Sequence, residues 1–383
     1  MVVEESPSTG PELPSFSNDD IISRLIARHK ISPHKGAILL VVFNLLLNCF
    51  LAFIFNAWFP AVRVNGKVTG GLLTEVGAWT IDLIAQPIIF GTYIWLQCVG
   101  YEIFRQLIKD RRLSLTNEVQ EALQTGSALM QNSWIKRSGF FLGCIFYSLG
   151  TYLALGIGGE TNLTWMNAHP SIFLSRMIVG IPFYYMLVMI VFDLVIILIT
   201  LNRIMKLGGV ISIEPSHSDN AGGLGVIGGF VANLGYLGFA FMVVIGGLWW
   251  QSWLTQSGGN ESWLITGFIV SIAYLLIVPI LFFVPLFSTH KAMQAFQQER
   301  IQKLSDQIER VSQDLFDNCG NIKKVGQDVD QLKVLEEAIL IVSRYRTWPF
   351  KPPDLRKYYT LVASPVGAIL LGVTGNWFYE RIF

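Results

Sequence analysis

Two carboxylates lie inside long apolar runs of the chain, where an ionised group costs about 2.5–3.5 kcal/mol even on permissive insertion scales. Asp193 closes the string Phe183-Tyr184-Tyr185-Met186-Leu187-Val188-Met189-Ile190-Val191-Phe192. It falls just past the middle of its run, about 6 Å from mid-bilayer along a helix, and no Lys or Arg is expected within any run to neutralise it. It should therefore be protonated, hydrogen-bonded to groups such as Asn44, Asn48 or Tyr185, or turned toward water. Asp82 stands nearer the end of another run and is followed by Gln86, Tyr93 and Gln97. Those spacings place all four on one helical face. Asn44 and Asn48 make a second, shorter polar stripe one turn long. Stripes of this kind face protein or water, not lipid, so they suit either a path for an ion or small solute or hydrogen bonding between helices. Pro87 frees a backbone carbonyl within the first stripe, as happens where a helix lines a cavity.

A different chemistry is suggested by the string from Glu214 to Gly229, which includes His217, Asp219, Asn220, Gly222, Gly223, Gly225 and Gly228. Gly223, Gly225 and Gly228 match the GxGxxG spacing, but the dinucleotide fingerprint needs a preceding strand and a parallel sheet, and neither is legible here. Asp219 or Asn220 can cap a helix whose Gly225 and Gly229 allow close backbone approach to a neighbour. The functional reading uses the exposed amides of that helix start, with His217, Arg203 and Lys206, as a site for an anion or phosphate headgroup. His217 and Asp219 as a base and its orienter would make a membrane enzyme, a weaker reading. The five histidines show no HExxH or paired-ligand spacing, and no GxSxG elbow occurs. Neither a metal nor a cofactor is expected.

The elements that must position these groups follow from composition. Of 383 residues 52% are hydrophobic and only 14% charged, with a mean hydropathy of +0.48. A soluble domain carries about 25% charged residues to hydrate its surface, so the chain reads as an integral membrane protein. A net charge of +1 gives no nucleic-acid footprint. The four cysteines (Cys49, Cys98, Cys144, Cys319) are scattered and form neither a disulfide framework nor a zinc pattern. A hydrocarbon core of about 30 Å needs roughly 20 apolar residues in a helix. Six runs qualify, near 37–59, 79–100, 139–157, 177–201, 234–254 and 263–287, and a weaker seventh lies near 360–378. If the N-terminus is inside, only Arg63, Lys67, Arg176 and Arg381 of the 28 Lys and Arg fall outside, so the positive-inside rule puts the N-terminus in the cytoplasm. The sequons Asn162-Leu163-Thr164 and Asn260-Glu261-Ser262 then fall outside.

Residues 288–358 should form a cytoplasmic coiled-coil hairpin. Ile301, Leu304, Ile308, Val311 and Leu315 repeat in steps of three and four, and 317–321 supply a turn with an αL-capable Gly320. Ile322, Val325, Val329, Leu332, Leu335, Ile339 and Val342 make the return arm, before Trp348-Pro349-Phe350 breaks the helix. The two arms bury each other, or residues 291–346 form a stalk for self-association or a protein partner. The expected fold is thus an all-α polytopic transmembrane bundle of six to seven spans. It comprises a disordered tail over 1–20, a bundle over 21–287, the hairpin over 288–358 and a last span over 359–383.

At His217-Ser218-Asp219-Asn220-Ala221-Gly222-Gly223-Leu224-Gly225-Val226-Ile227-Gly228 the chain resembles a family of uncharacterised bacterial multi-pass membrane proteins. That family carries His-Pro-Asp-x-Ala-Gly-Gly-Leu-Gly-x-Leu-Gly before a transmembrane helix, and the Trp348-Pro349-Phe350 segment is also similar to it. Ser218 replaces the motif's Pro and Ile227 its second Leu. The resemblance implies a bacterial inner-membrane location and no activity. On the residues alone, the leading expectation is a channel or transporter for an ion or small solute. A scaffold or sensor acting through the hairpin is the alternative, and the inner-face enzyme comes third.

Overall fold

The computed structural model describes residues 20–59, 61–62, 68–69, 71–74, 79–155, 170–207, 222–235, 238, 261–317, 322–345 and 347–349; side chains are described for most of these. Within them the architecture is all-α, apart from a two-residue antiparallel pairing of β1 (Ala61–Val62) with β2 (Val68–Thr69). The tail 1–19, the first sequon, Asn260 of the second, His217, Asp219, Cys319, most of the run near 234–254 and all of that near 360–378 lie outside the described residues.

Helix α1 (Ile21–His29) starts at Asp20, whose side chain accepts the Ser23 amide, and ends at Lys30 in the left-handed region. Ser32 and Pro33 then open α2 (Pro33–Ile54), a Pro at the first helical position being favoured because its missing N–H would have no partner there. A π-helical turn, Ile81–Ala85, leads into α3 (Gln86–Lys109). Thr116 caps α4 (Asn117–Gln131), α5 is Ser133–Leu155, and α6 is a continuous Pro170–Met205. A short helix α7 (Gly225–Gly235) precedes α8 (Glu261–Asp317) and α9 (Ile322–Ser343).

Three of these stretches are long and apolar enough to cross a membrane: Pro33–Ile54, Ile81–Lys109 and Ser171–Met205. Their exposed faces carry large apolar side chains such as Leu39, Phe43, Leu46, Phe50 and Ile178, the arrangement a lipid solvent demands. Helix α5 covers the expected run from 139 to 155, presenting Phe140, Phe141, Ile145 and Phe146 outward.

Glycines set the close approaches. A Cβ on Gly143 of α5 would lie 2.9 Å from the Tyr185 amide nitrogen of α6, and one on Gly139 2.7 Å from the Met189 sulfur. The two helices therefore run antiparallel with their backbones in near contact. On α2, a Cβ at Gly36 would meet the Ile94 side chain of α3 at 2.5 Å. One core then continues through α3, α4, α6 and α7, with Tyr93, Phe104, Leu107, Leu123, Met189, Ile197, Leu201, Ile227 and Val231 buried in it.

Helix α8 runs without interruption from an expected span into the first arm of the expected hairpin and packs along α9. Its partly buried positions include Ile301, Leu304, Ile308, Val311 and Leu315; on α9 Val325, Leu332, Leu335 and Ile339 are partly buried and Val342 is buried. Val329, expected on the same seam, is 37% exposed, and Asp328 one position earlier is the half-buried residue. At the base, Gln297 donates to the Val342 and Ser343 carbonyls, both at 2.9 Å. His290 stacks on Trp348 with centroids 4.1 Å apart.

Candidate functional site

The π-helical turn is where sequence makes the site. Pro87 offers no N–H, and the Gln86 amide bonds five residues back to the Ile81 carbonyl. The Asp82 carbonyl is thereby left without its helical partner, and Asn44 of α2 takes it with its amide nitrogen at 2.8 Å. Such single π turns are frequent at functional sites for this reason. The Asn44 amide also donates to Gln86 Oε1 at 2.9 Å.

Around the Asp82 side chain three donors converge. Asn48 Nδ2 reaches Oδ2 at 2.8 Å, Gln86 Nε2 reaches Oδ1 at 3.1 Å, and the Arg176 guanidinium bonds Oδ2. Asp82, Asn44 and Asn48 are fully buried, and Arg176 nearly so. The pairing satisfies the rule that a charge taken out of water needs a partner and further hydrogen bonds. Arg176 is the member of this node that sequence reasoning missed. The apolar run at 177–201 leaves Arg176 in an outside loop, whereas α6 begins at Pro170 and carries the arginine in its second turn. The expectation that no cation sits within a span fails for that reason. The missed signal was Pro170-Ser171, a helix start lying before the strongly apolar stretch.

The depth of this node follows from register. Asp82 is level with Asn48, six residues or about 9 Å from the end of α2 at Ile54. Between the node and that end lies an apolar cluster of Leu51, Ala52, Ala57, Leu72 and Ile172, flanked by Trp58 and Trp79. The Trp79 indole donates to the Leu72 carbonyl at 2.8 Å.

A second polar node sits further along. Asp20, besides capping α1, accepts hydrogen bonds from the hydroxyls of Tyr93 on α3 and Tyr185 on α6, the latter at 2.8 Å. Ser23 Oγ lies 3.1 Å from the Tyr93 hydroxyl. Asp20 had been assigned to a disordered tail; its carboxylate instead ties the first helix to two others. Of the expected stripe, Asp82 and Gln86 join the first node, Tyr93 joins the second, and Gln97 is half-buried with no partner for Nε2 among the described residues.

Asp193 is fully buried. Met189 meets Gly139 and Tyr185 meets Gly143, so Asp193, one turn past Met189, is level with about residue 135 at the start of α5. Lys136 and Arg137 follow there. Asn44 and Asn48, suggested as its partners, bond the Asp82 node instead.

Of the glycine string, Gly222 and Gly223 adopt positive φ (66° and 87°), a region only Gly enters without strain. A Cβ on Gly223 would stand 2.3 Å from Arg112 Nε. That turn brings the α3–α4 connection, through Arg112, to the start of α7. Arg203 pairs with Glu121 of α4 at 3.1 Å. A Cβ on Gly229 would meet nothing within 4 Å among the described residues, so the expected close contact there is absent among them. Gly225 and Gly228 lie in α7, and no group of three or more His, Cys, Asp or Glu that could hold a metal occurs among the described residues.

No protein-family model, curated protein or solved structure matches the chain.

Proposed function

We propose that the protein is a membrane transporter or channel for an ion or small solute. One observation carries this reading: a fully buried carboxylate, Asp82, is held with Arg176, Asn48 and Gln86 between helices apolar enough to cross a membrane. Charged groups buried between such helices are expensive and are functional candidates by default. The π turn that frees the Asp82 carbonyl adds irregular backbone, which membranes tolerate only inside protein or at a cavity. On this reading the bundle crosses six to seven times, as the apolar runs argue, with its N-terminus in the cytoplasm, as the distribution of Lys and Arg argues; a bacterial inner membrane is what the family resemblance implies. The family resemblance around Gly222 and Gly223 agrees with this location and adds no activity.

Helices α8 and α9 then serve as a coiled-coil hairpin for assembly or regulation. Exposed Val334, Leu340 and Ile341 on α9 favour a scaffold reading as the alternative, in which that hairpin binds a partner and the spans anchor it. The two are separated by flux of protons and common ions in liposomes. Transport predicts that deletion of 291–346 leaves flux and that Asp82→Asn removes it. The scaffold predicts no flux from folded protein and a bound partner lost with the deletion. An enzyme working through His217 and Asp219 would lose turnover in His217→Ala and show no flux.

A further inference from the structure

We propose that Asn44, Asn48 and Asp82 form a binding site for a monovalent alkali cation, which takes the place that Arg176 occupies in this structure. Amide orientation is the starting point. An ionised carboxylate only accepts hydrogen bonds, so Asn48 presents its nitrogen, and not its oxygen, as the hydrogen-bonding atom to Asp82 Oδ2. The Asn44 nitrogen is likewise committed to the Asp82 carbonyl and Gln86 Oε1. Asn44 Oδ1 and Asn48 Oδ1 are consequently left as buried acceptors without a hydrogen-bond partner among the described residues, on side chains with 0% exposure. Two such acceptors one turn apart call for a ligand, because a buried acceptor that gave up water without gaining a partner is destabilising.

The donor set identifies the ligand. Two amide oxygens, the Asp82 carboxylate and the Asp82 carbonyl, displaced from the helix ladder by the π turn, are all oxygen, as hard cations require. A single carboxylate balances a single charge; a divalent ion would leave uncompensated charge in a low-dielectric site. Arg176 and the cation are then alternatives for Asp82. Arg176 stands in the second turn of α6, where a long side chain can carry its guanidinium toward the helix end and water. In naming the transported or coupling ion this inference rests on the transport reading, but binding is measured without flux.

The test is thermal unfolding of the purified full-length protein in detergent, in lithium, sodium or potassium chloride against choline chloride at equal ionic strength. At least one alkali ion should raise the midpoint saturably. Asn44→Ala and Asn48→Ala should each weaken its apparent affinity about tenfold or more. Arg176→Gln should tighten it by about tenfold, by removing the competing cation. Asn48→Ser, which keeps a donor for Asp82 but lacks the amide oxygen, gives the same reading where the alanine variant does not fold. Equal midpoints in all four salts, or a shift unchanged in the asparagine variants, would overturn the proposal and leave the two oxygens to buried water. A saturable shift in protein that shows no flux keeps the site and removes transport. Flux without an alkali-specific shift does the reverse.

Discussion

Replacing Arg176 with Met while keeping Asp82 isolates the buried ion pair. The carboxylate is fully buried and the arginine side chain 7% exposed, so solvent does little to screen the loss. Breaking such a pair by removing one partner costs about 3–5 kcal/mol. The hydrogen bonds from Asn48 at 2.8 Å and Gln86 at 3.1 Å remain, and bonds to a charged acceptor are worth about 1.5–3 kcal/mol each. They hold the cost to the lower end, about 3 kcal/mol. Asp82→Asn on top of Arg176→Met removes the stranded charge and keeps an acceptor for Asn48, so the double variant should lie within about 1–2 kcal/mol of wild type. The assay is reversible unfolding in mixed micelles with increasing denaturing detergent, for wild type, both single variants and the double. Arg176→Met within about 0.5 kcal/mol of wild type, or strictly additive effects, would refute the argument that these groups form one desolvated pair.

Gly143→Val should destabilise by about 1–3 kcal/mol, since its Cβ would press on the Tyr185 backbone at 2.9 Å, which cannot swing aside; the same unfolding assay measures it. Gly223→Ala and Gly229→Ala make a matched pair. The first places a Cβ at φ 87° against Arg112 and should cost about 1–2 kcal/mol, whereas the second meets nothing within 4 Å and should gain about 0.5–1 kcal/mol of helix stability. Asp20→Ala removes both a helix cap and the acceptor for Tyr93 and Tyr185. Amide exchange across residues 21–29 should rise by roughly tenfold, matching a cap loss of about 1–2 kcal/mol, while exchange in α5 stays unchanged.

The sequence showed the elements better than their phases. Apolar run length located α2, α3, α5 and α6 because a bilayer imposes that length, and the steps of three and four along 301–315 marked the face that α8 buries. Helix ends were harder to read. Arg176 was put outside because a hydropathy window discounts a helix's first polar turns, though Pro170 signals the start. The polar stripe from Asp82 was legible as buried, since four polar residues on one face cannot meet lipid. Its partition was hidden, because the π turn before Pro87 shifts Asp82 relative to Tyr93 and periodicity assumes an unbroken helix. The register of Asp193 was not legible either: run length says nothing about packing against α5, which Gly139 and Gly143 fix through tertiary contact. Asp20 reaching Tyr93 and Tyr185 is a long-range pairing that no local pattern announces.

The central claim is that the Asp82–Arg176 node lies on a transport path. It is tested most directly by ion flux into liposomes holding wild type, Asp82→Asn, or Asp82→Asn with Arg176→Met, with folding and insertion checked on each preparation and empty liposomes as control. The account predicts flux in wild type and none in the folded, inserted double variant, whose stability is close to wild type. Equal flux in wild type and the double variant, or none from well-folded wild type for protons and common ions, would contradict it.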